Sequence, residues 1–155
     1  MDNIFKNEET FFVATKLCLK CRDEILVITE SYPWLPLWRE LPGGKISKAD
    51  GENPPIFTLT REVQEELGIL YDLTDKNTVL FHVEKRYEII TLQKTPFPFI
   101  FLCYLFDISE KPEDITLTEH SDALWIKESD IDTFTDWRPG FDKIVKKAFD
   151  FSKNS

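Results

Sequence analysis

The sequence predicts a mixed α/β (α+β) fold in one domain that spans residues 1–155. Three observations support this prediction: alternating apolar residues near the N-terminus indicate strands, an apolar stripe at helical spacing lies in the middle of the chain, and a second stripe lies near its end. A chain of 155 residues, 42% of them hydrophobic and 30% charged, is typical of a globular domain with a buried core.

The predicted strands lie on both sides of the central helix. Residues 11–19 alternate in polarity, which indicates a half-buried strand. Residues 25–29 are mostly β-branched, so we expect a hairpin that turns at residues 21–23. Further extended segments are predicted over residues 38–41, 79–92, 97–107 and 122–127.

Two helices are predicted. The central helix begins after Asn53, whose side chain is expected to cap the free N–H groups of the first turn. It ends at Gly68, where a left-handed residue is expected. A C-terminal amphipathic helix covers residues 141–151. The buried stripe of the central helix is expected to consist of Ile56, Leu59, Val63 and Leu67.

The net charge of −9 limits the classes of partner. It argues against a protein that binds nucleic acid through a basic surface. Most of the negative charge lies in residues 107–136, which hold ten acids and two lysines. The net charge does not exclude phosphate ligands, because a bound divalent cation reverses the local sign of the charge.

The sequence predicts a cytoplasmic protein without a membrane partner. Residues 1–10 lack the pattern of a signal peptide, and the longest apolar run, residues 97–106, is too short to cross a bilayer as a helix. Three cysteines cannot all pair, which fits a reducing compartment. Cys18 and Cys21 have C-x-x-C spacing, but a zinc site needs a second such pair and only Cys103 remains, so packing roles are favoured.

Three glutamates lie on one side of the predicted central helix. Glu62, Glu65 and Glu66 follow the spacing i, i+3, i+4, and Arg61 lies beside them. Carboxylates this close repel one another unless a cation lies among them, and a hard cation such as Mg²⁺ prefers oxygen ligands. Most acidic runs of this kind are solvated helix faces, so the surrounding residues decide between the two interpretations.

The surrounding residues are similar to a known family signature. Residues 41–45 read LPGGK, and residues 61–69 read REVQEELGI. Together they resemble the Nudix box, G-x5-E-x7-R-E-U-x-E-E-x-G-U, in which U is a bulky aliphatic residue. The second half matches at every specified position.

The first acid of the box departs from the pattern. Seven residues separate Gly44 from Glu52 where the pattern has five, and eight separate Glu52 from Arg61 where it has seven. Asp50 lies at the strict spacing from Gly44 and competes with Glu52 for this position.

The resemblance implies an α/β/α sandwich with a mixed, curved sheet. It also implies hydrolysis of a nucleoside diphosphate linked to another group, with Mg²⁺ or Mn²⁺ as the cofactor. Glu65 and Glu66 are then expected metal ligands, with the main-chain carbonyl of Gly43 nearby. Glu62 is expected to bind a second metal ion or to accept the proton of the attacking water.

Arg61 and Glu119 receive supporting roles from the same resemblance. Arg61 is expected to hold an acid of the box, with Glu52 as its partner. Glu119 is a candidate for a further metal ligand or for the base, although a solvated loop acid is the alternative interpretation. The catalytic set is therefore Glu62, Glu66 and Arg61.

Three aromatic residues are candidates for substrate binding. Trp34 and Trp38 precede the box, and Tyr87 lies where related enzymes that act on dinucleoside polyphosphates carry a tyrosine. Each could stack on a flat group, and each could instead pack in the core or at its edge. The isolated residues His82 and His120 are interpreted as structural or surface side chains.

Two functions from different classes follow from the resemblance. The first is an enzyme that hydrolyses a small, nucleotide-like diphosphate. The second is a module of the same fold that binds or senses a nucleotide without cleaving it, which the lengthened loop of the box favours. A homodimer is expected by analogy with the family.

Overall fold

The computed structural model describes residues 8–30, 37–89, 96–117 and 120–155. The strands in these ranges are β1 (Phe12–Cys21), β2 (Glu24–Glu30), β3 (Trp38–Glu40), β4 (Gly43–Lys45), β5 (Val79–Ile89), β6 (Pro96–Ile108) and β7 (His120–Lys127). The helices are α1 (Pro55–Leu67) and α2 (Phe141–Lys153), with short 3₁₀ helices at Lys48–Asp50 and Glu128–Thr133.

The strands form one mixed sheet in the order β3-β2-β1-β6-β5, with β4 paired to β1 and β7 paired to β2. β1 and β6 are parallel, and the other pairs are antiparallel. β1 and β2 pair only at the closed end of their hairpin, where Lys20 lies opposite Ile25. β4 pairs with the other end of β1, from Ala14 to Lys16.

The predicted hairpin turn is confirmed at Arg22 and Asp23. Arg22 has a φ of 58°, in the left-handed region. Two-residue hairpin loops often require this conformation because it matches the twist of the strands.

Helices cover both faces of the sheet. On one face, Ala14 and Cys18 of β1 pack in the core that contains the buried residues of α2. On the other face, Leu17 and Leu19 pack with the buried residues of α1. The strand predicted over residues 11–19 is confirmed as β1, but the expectation that it is half-buried is wrong, because residues 14–19 are buried on both faces. The predicted α/β/α sandwich with a mixed, curved sheet is confirmed.

The central helix ends where it was expected to end and begins differently. Gly68 has a φ of 70° and its N–H donates to Gln64 O at 2.9 Å. The predicted Asn53 cap is wrong: Pro54 is the N-cap residue, and Asn53 Nδ2 donates instead to Asp50 O at 2.8 Å. The predicted buried stripe is confirmed for Ile56, Leu59, Val63 and Leu67.

β4 was not predicted from the sequence. Gly43 and Gly44 have low strand propensity, and the strand forms because β1 supplies hydrogen-bonding partners along this edge. Neither described helix is long and apolar enough to cross a membrane.

Candidate functional site

α1 carries its glutamates against the backbone of β4. Gly43 N–H donates to Glu66 Oε2 at 2.9 Å in a buried contact. Leu17 N donates to Pro42 O and Ile46 N to Val13 O, both at 2.8 Å. Gly43, opposite Lys16, therefore lies between hydrogen-bonded positions of the ladder. Its N–H and C=O point away from β1, and the N–H meets Glu66.

Both glycines of the LPGGK segment lie at close approaches, Gly43 to the backbone of β1 and Gly44 to the side chain of Glu62. Gly43 has a φ of 142°, and a Cβ at this position would lie 2.0 Å from Thr15 O. A Cβ on Gly44 would lie 2.2 Å from Glu62 Cδ. The Glu62 side chain therefore lies directly on the backbone of β4. β4 thus brings its main chain against Glu62 and Glu66 at once.

Arg61 joins the loop of the box to the helix. Its Nε donates to Asp50 Oδ1 at 3.1 Å and its Nη2 to Asp50 Oδ2 at 3.3 Å. Its Nη1 donates to Glu62 Oε1 at 3.1 Å and to Glu65 Oε1 at 3.2 Å. One guanidinium therefore fixes three carboxylates in a geometry suited to a planar group with several donors.

The expected partner of Arg61, Glu52, is wrong, because Asp50 fills that position. The Asp50 side chain is 1% exposed, whereas Glu52 is exposed. The main-chain N–H of Ser47, 2.8 Å from Asp50 Oδ2, and the Arg61 guanidinium lower the pKa of Asp50. Its charged form is favoured, so it is a fixed anchor for Arg61.

The site holds more negative than positive charge. Asp50, Glu62 and Glu65 contact the guanidinium of Arg61, and Glu66 interacts electrostatically with Glu62 and with Lys16. Burial raises the pKa of Glu62, and the neighbouring charges of Glu66 and Glu65 raise it further against the opposing effect of Arg61. The carboxylates therefore repel one another, and an added cation would relieve this repulsion.

The donor set suits a hard divalent cation in its chemistry. Carboxylate oxygens and a main-chain carbonyl are the ligands that Mg²⁺ prefers. Within the described ranges, no three His, Cys, Asp or Glu side chains converge in the geometry of a metal site. Arg61 lies between Glu62 and Glu65 here, and a cation of higher charge would compete with it for the same oxygens.

The structure does not bring the two described aromatic candidates, Trp38 and Tyr87, together. Trp38 lies half-buried on β3, and its ring lies 5.9 Å from Arg138 Cζ. Tyr87 lies on β5, separated from β4 by β6 and β1, and its hydroxyl donates to Glu9 Oε2 at 2.6 Å. Trp34 and Glu119 lie outside the described residues.

A buried network of four charges was missed by the sequence analysis. Lys16 Nζ lies 3.0 Å from Glu40 Oε1, Arg138 Nη1 lies 2.6 Å from Glu40 Oε2, and Arg138 Nε lies 2.7 Å from Glu88 Oε2. Burial alone would raise the pKa of Glu40, but Lys16 and Arg138 outweigh it and hold this pKa at about 2. Lys16 also donates to Leu41 O at 3.3 Å, close to β4. The only available signal was the break that Lys16 makes in the apolar pattern of β1.

The cysteines pack in the core, as predicted. Cys18, Cys21 and Cys103 are buried and free. Burial raises the pKa of the Cys103 thiol to about 12, so it is a poor nucleophile. His82 Nε2 lies 3.3 Å from Glu84 Oε1, which agrees with a structural role.

A family model for the NUDIX domain matches residues 12–148. The chain belongs to the NUDIX family. The match covers all the elements from β1 to most of α2, so the NUDIX fold accounts for nearly the whole chain. No curated protein matches the chain in a sequence search.

Solved structures show the same fold at low sequence identity. The NUDIX domain of Shewanella oneidensis NrtR, complexed with ADP ribose, superposes with a TM-score of 0.70 at 14% identity, covering 93% of this chain and 90% of that one. A MutT NUDIX hydrolase from Burkholderia pseudomallei gives 0.69 at 18%, covering 90% and 98%. A C. elegans Ap4A hydrolase binary complex gives 0.63 at 19%, covering 93% and 99%.

Proposed function

We propose that this NUDIX protein is a metal-dependent hydrolase of a phosphoanhydride bond in a nucleoside diphosphate linked to another group. The observation that carries the proposal is the placement of Glu62 and Glu66 against the backbone of Gly43 and Gly44. This placement favours an acidic site between α1 and β4 over a solvated helix face for the glutamates of REVQEELGI. The names of two structural neighbours, one complexed with ADP ribose and one an Ap4A hydrolase, support a nucleotide-like substrate.

The proposed cofactor is Mg²⁺ or Mn²⁺. Glu65, Glu66 and the carbonyl of Gly43 are its proposed ligands, with Glu62 able to contribute to a second ion. When bound, the ion neutralises diphosphate charge and lowers the pKa of a bound water. Glu119 stays a prediction for a further ligand or for the base.

The residues of the chain itself have separate tasks. Glu62, whose pKa is raised, is the proposed acceptor of the proton from the attacking water. Arg61, anchored by Asp50, holds Glu62 and Glu65 in place. The Gly43 N–H orients Glu66. These contacts fix the carboxylates before a substrate binds, which lowers the cost of reorganisation.

The proposed partner is a small-molecule diphosphate in the cytoplasm, bound by a single domain over residues 1–155. Trp34, Trp38 and Tyr87 stay proposed contacts to the flat part of the substrate. Trp38 and Tyr87 lie on different strands, so one rigid aromatic group is not expected to touch both.

A substrate panel tests the proposal. Nucleoside triphosphates, ADP-ribose, dinucleoside polyphosphates and capped RNA are incubated with the protein and Mg²⁺, and the released products are quantified. We expect turnover of at least one substrate, lost on chelation of the metal. No metal-dependent turnover of any of them by folded protein would contradict an enzyme.

Glu66→Gln separates the enzyme from a binding module. This change removes one carboxylate charge at nearly constant size, so we expect kcat/KM to fall by a factor on the order of 10³. Glu52→Gln is the matched control in the same box and is expected to leave kcat/KM within a few-fold. If ligands raise the Tm of both variants and of the unchanged protein without any product, the non-catalytic module is the better description.

A further inference from the structure

Lys16 is a buried cation beside the strand that carries part of the candidate site. Its side chain is 5% exposed, and the residue lies on β1 directly opposite Gly43 of β4. The Gly43 N–H donates to Glu66 Oε2 at 2.9 Å, and Glu66 is 7% exposed. A buried lysine and a buried glutamate are thus both immediate neighbours of one residue of the site.

The ammonium group of Lys16 is held close to β4. Its Nζ donates to Glu40 Oε1 at 3.0 Å and to Leu41 O at 3.3 Å, and Leu41 precedes Gly43 by two residues. The negative charge of Glu66 acts on this ammonium group in addition to that of Glu40. Solvent and salt screen buried charges much less than exposed ones. The positive charge of Lys16 therefore acts on a carboxylate that is a proposed metal ligand.

Lys16 is a fixed charge. Burial alone would lower the pKa of Lys16, and the nearby charge of Arg138 lowers it further. The carboxylates of Glu40, Glu66 and Glu30 outweigh both effects and hold this pKa above its ordinary value. The side chain is therefore protonated at neutral pH, and its charge is present whether or not a ligand is bound.

We propose that Lys16 weakens the binding of the divalent cation at Glu66, so that the site holds the cation loosely until a diphosphate adds its own oxygens. This inference rests on the metal-dependent hydrolysis proposed above. A positive charge near a ligand oxygen repels an incoming cation, and the negative charge of a diphosphate offsets that repulsion. Mg²⁺ is commonly bound through one or two carboxylates together with substrate phosphates. Lys16 acts through Glu66 and is a positioning residue.

A purely structural role for Lys16 predicts a different result. If the buried network only supported β4, removal of any member would loosen the contact between Gly43 and Glu66 and weaken metal binding. In the present proposal, the direction of the change depends on the sign of the charge that is removed. Loss of the positive charge of Lys16 tightens metal binding, whereas loss of the negative charge of Glu40 weakens it.

Titration of the full chain with Mn²⁺ in the absence of substrate tests the proposal, with free Mn²⁺ measured by electron paramagnetic resonance. Lys16→Met removes the charge at nearly constant length and is expected to raise the affinity for Mn²⁺ at least about 5-fold. Glu40→Gln is expected to lower this affinity at least about 2-fold. Circular dichroism and the Tm establish that each variant is folded.

Lys20→Met is the matched control. Lys20 lies on the same strand and the same face as Lys16, and its Nζ contacts Asp107 Oδ1 at 3.3 Å. Four residues of strand separate the two lysines by roughly 13 Å. The affinity for Mn²⁺ is expected to stay that of the unaltered chain. A Lys16→Met, Glu40→Gln double variant buries no unpaired carboxylate at position 40, and it is expected to bind Mn²⁺ more tightly than Glu40→Gln alone.

The outcomes separate this inference from the proposed function. A folded Lys16→Met variant that binds Mn²⁺ no more tightly than the unaltered chain overturns the role of Lys16, and so does a double variant no tighter than Glu40→Gln. Either result leaves the function standing, provided that Glu66→Gln reduces Mn²⁺ binding. If the unaltered chain binds no Mn²⁺, or if Glu66→Gln binds it equally well, the metal site at Glu66 is wrong and both proposals fail.

Discussion

The chain contains two clusters of charged residues whose balance differs. In the buried network, called the closed network below, Lys16 and Arg138 pair with Glu40 and Glu88, with Glu30 also hydrogen-bonded to Glu40, and the exposed fraction of each of the four paired side chains is below 10%. In the NUDIX site, Arg61 contacts Asp50, Glu62 and Glu65, of which Glu65 is more than half exposed, and Glu66 lies close enough to Glu62 for their charges to interact. The first cluster is shielded from solvent. The second has surplus negative charge and accessible oxygens.

The comparison shows how the same residue types serve different purposes. The closed network connects β1, β3, β5 and the segment before α2. Through Lys16 and Leu41 O it also fixes the chain that leads into β4. The closed network therefore stabilises β4, against which Glu62 and Glu66 lie. We call the NUDIX site with Asp50, Glu62, Glu65 and Glu66 the open cluster, and a catalytic role is proposed only for this cluster.

The largest expected difference is between Arg138→Met and Arg61→Met. The first removes the cation that contacts buried Glu88 and leaves Glu40 paired with Lys16 alone, and should lower the free energy of unfolding by about 3–5 kcal/mol. The second leaves Glu62 and Glu65 partly solvated, and buried Asp50 keeps the Ser47 N–H, so a loss of only about 1–2 kcal/mol is expected. Urea denaturation measures both. Equal losses would erase the proposed distinction.

The closed network should also control stability in acid. Glu40 has a pKa of about 2 instead of 4.5, so its charged form stabilises the folded state above pH 4.5. That contribution, about 3 kcal/mol, is lost as the pH falls from 4.5 towards 2. Denaturation at a series of pH values should show a steep loss in this window. Glu40→Gln should flatten the slope there; a slope unchanged by this substitution would assign the acid sensitivity to other groups.

The contributions of Asp50 and Glu52 to kcat/KM can be compared directly. Asp50→Asn weakens the anchor of Arg61 and should lower kcat/KM about 10-fold, equivalent to about 1.4 kcal/mol. Glu52→Gln should change it little, because this side chain is exposed. Steady-state kinetics with the best substrate of the panel decides between them. A larger effect at Glu52 would restore it as the first acid of the box.

The smallest expected effects concern two glycines of the box. Gly51 has a φ of 60° and open space around it, so Gly51→Ala should cost about 1 kcal/mol of stability through backbone strain and leave turnover unchanged. Gly44→Ala has no such strain but displaces the Glu62 side chain, so turnover should fall while stability changes by less than about 1 kcal/mol. Thermal unfolding and steady-state kinetics of both variants check that Gly51→Ala lowers mainly stability and Gly44→Ala mainly turnover.

Local patterns predicted the helices and the longer strands. The spacing of Leu59, Val63 and Leu67 and the capping role of Gly68 depend on the helix itself, and both predictions are confirmed. The Asn53 cap is wrong because Asp50 O provides a competing partner for its side chain. β4 and the closed network depend on residues distant in sequence, such as Thr15 and Arg138, and no local pattern contains this information.

The motif predicted the site residues better than it predicted their partners. The REVQEELGI motif predicted the positions of Glu62, Glu65 and Glu66 on α1. The choice between Asp50 and Glu52 depends on the conformation of the loop, which the motif does not specify. The role of Gly43 was expected through its carbonyl, whereas the contact that the structure shows is through its N–H. Catalytic and metal-binding roles stay predictions.

The pairing of β4 with β1 has a consequence for how the box tolerates insertions. Sixteen residues separate Gly44 from Arg61, three more than the family pattern has, and with Asp50 as the first acid all three fall between Asp50 and Arg61. Both ends of this segment are held independently, by the β4 ladder and by the packing of α1. Closing the longer loop therefore costs only about 0.2 kcal/mol of chain entropy. Changes in loop length can thus accumulate over evolution without moving the glutamates.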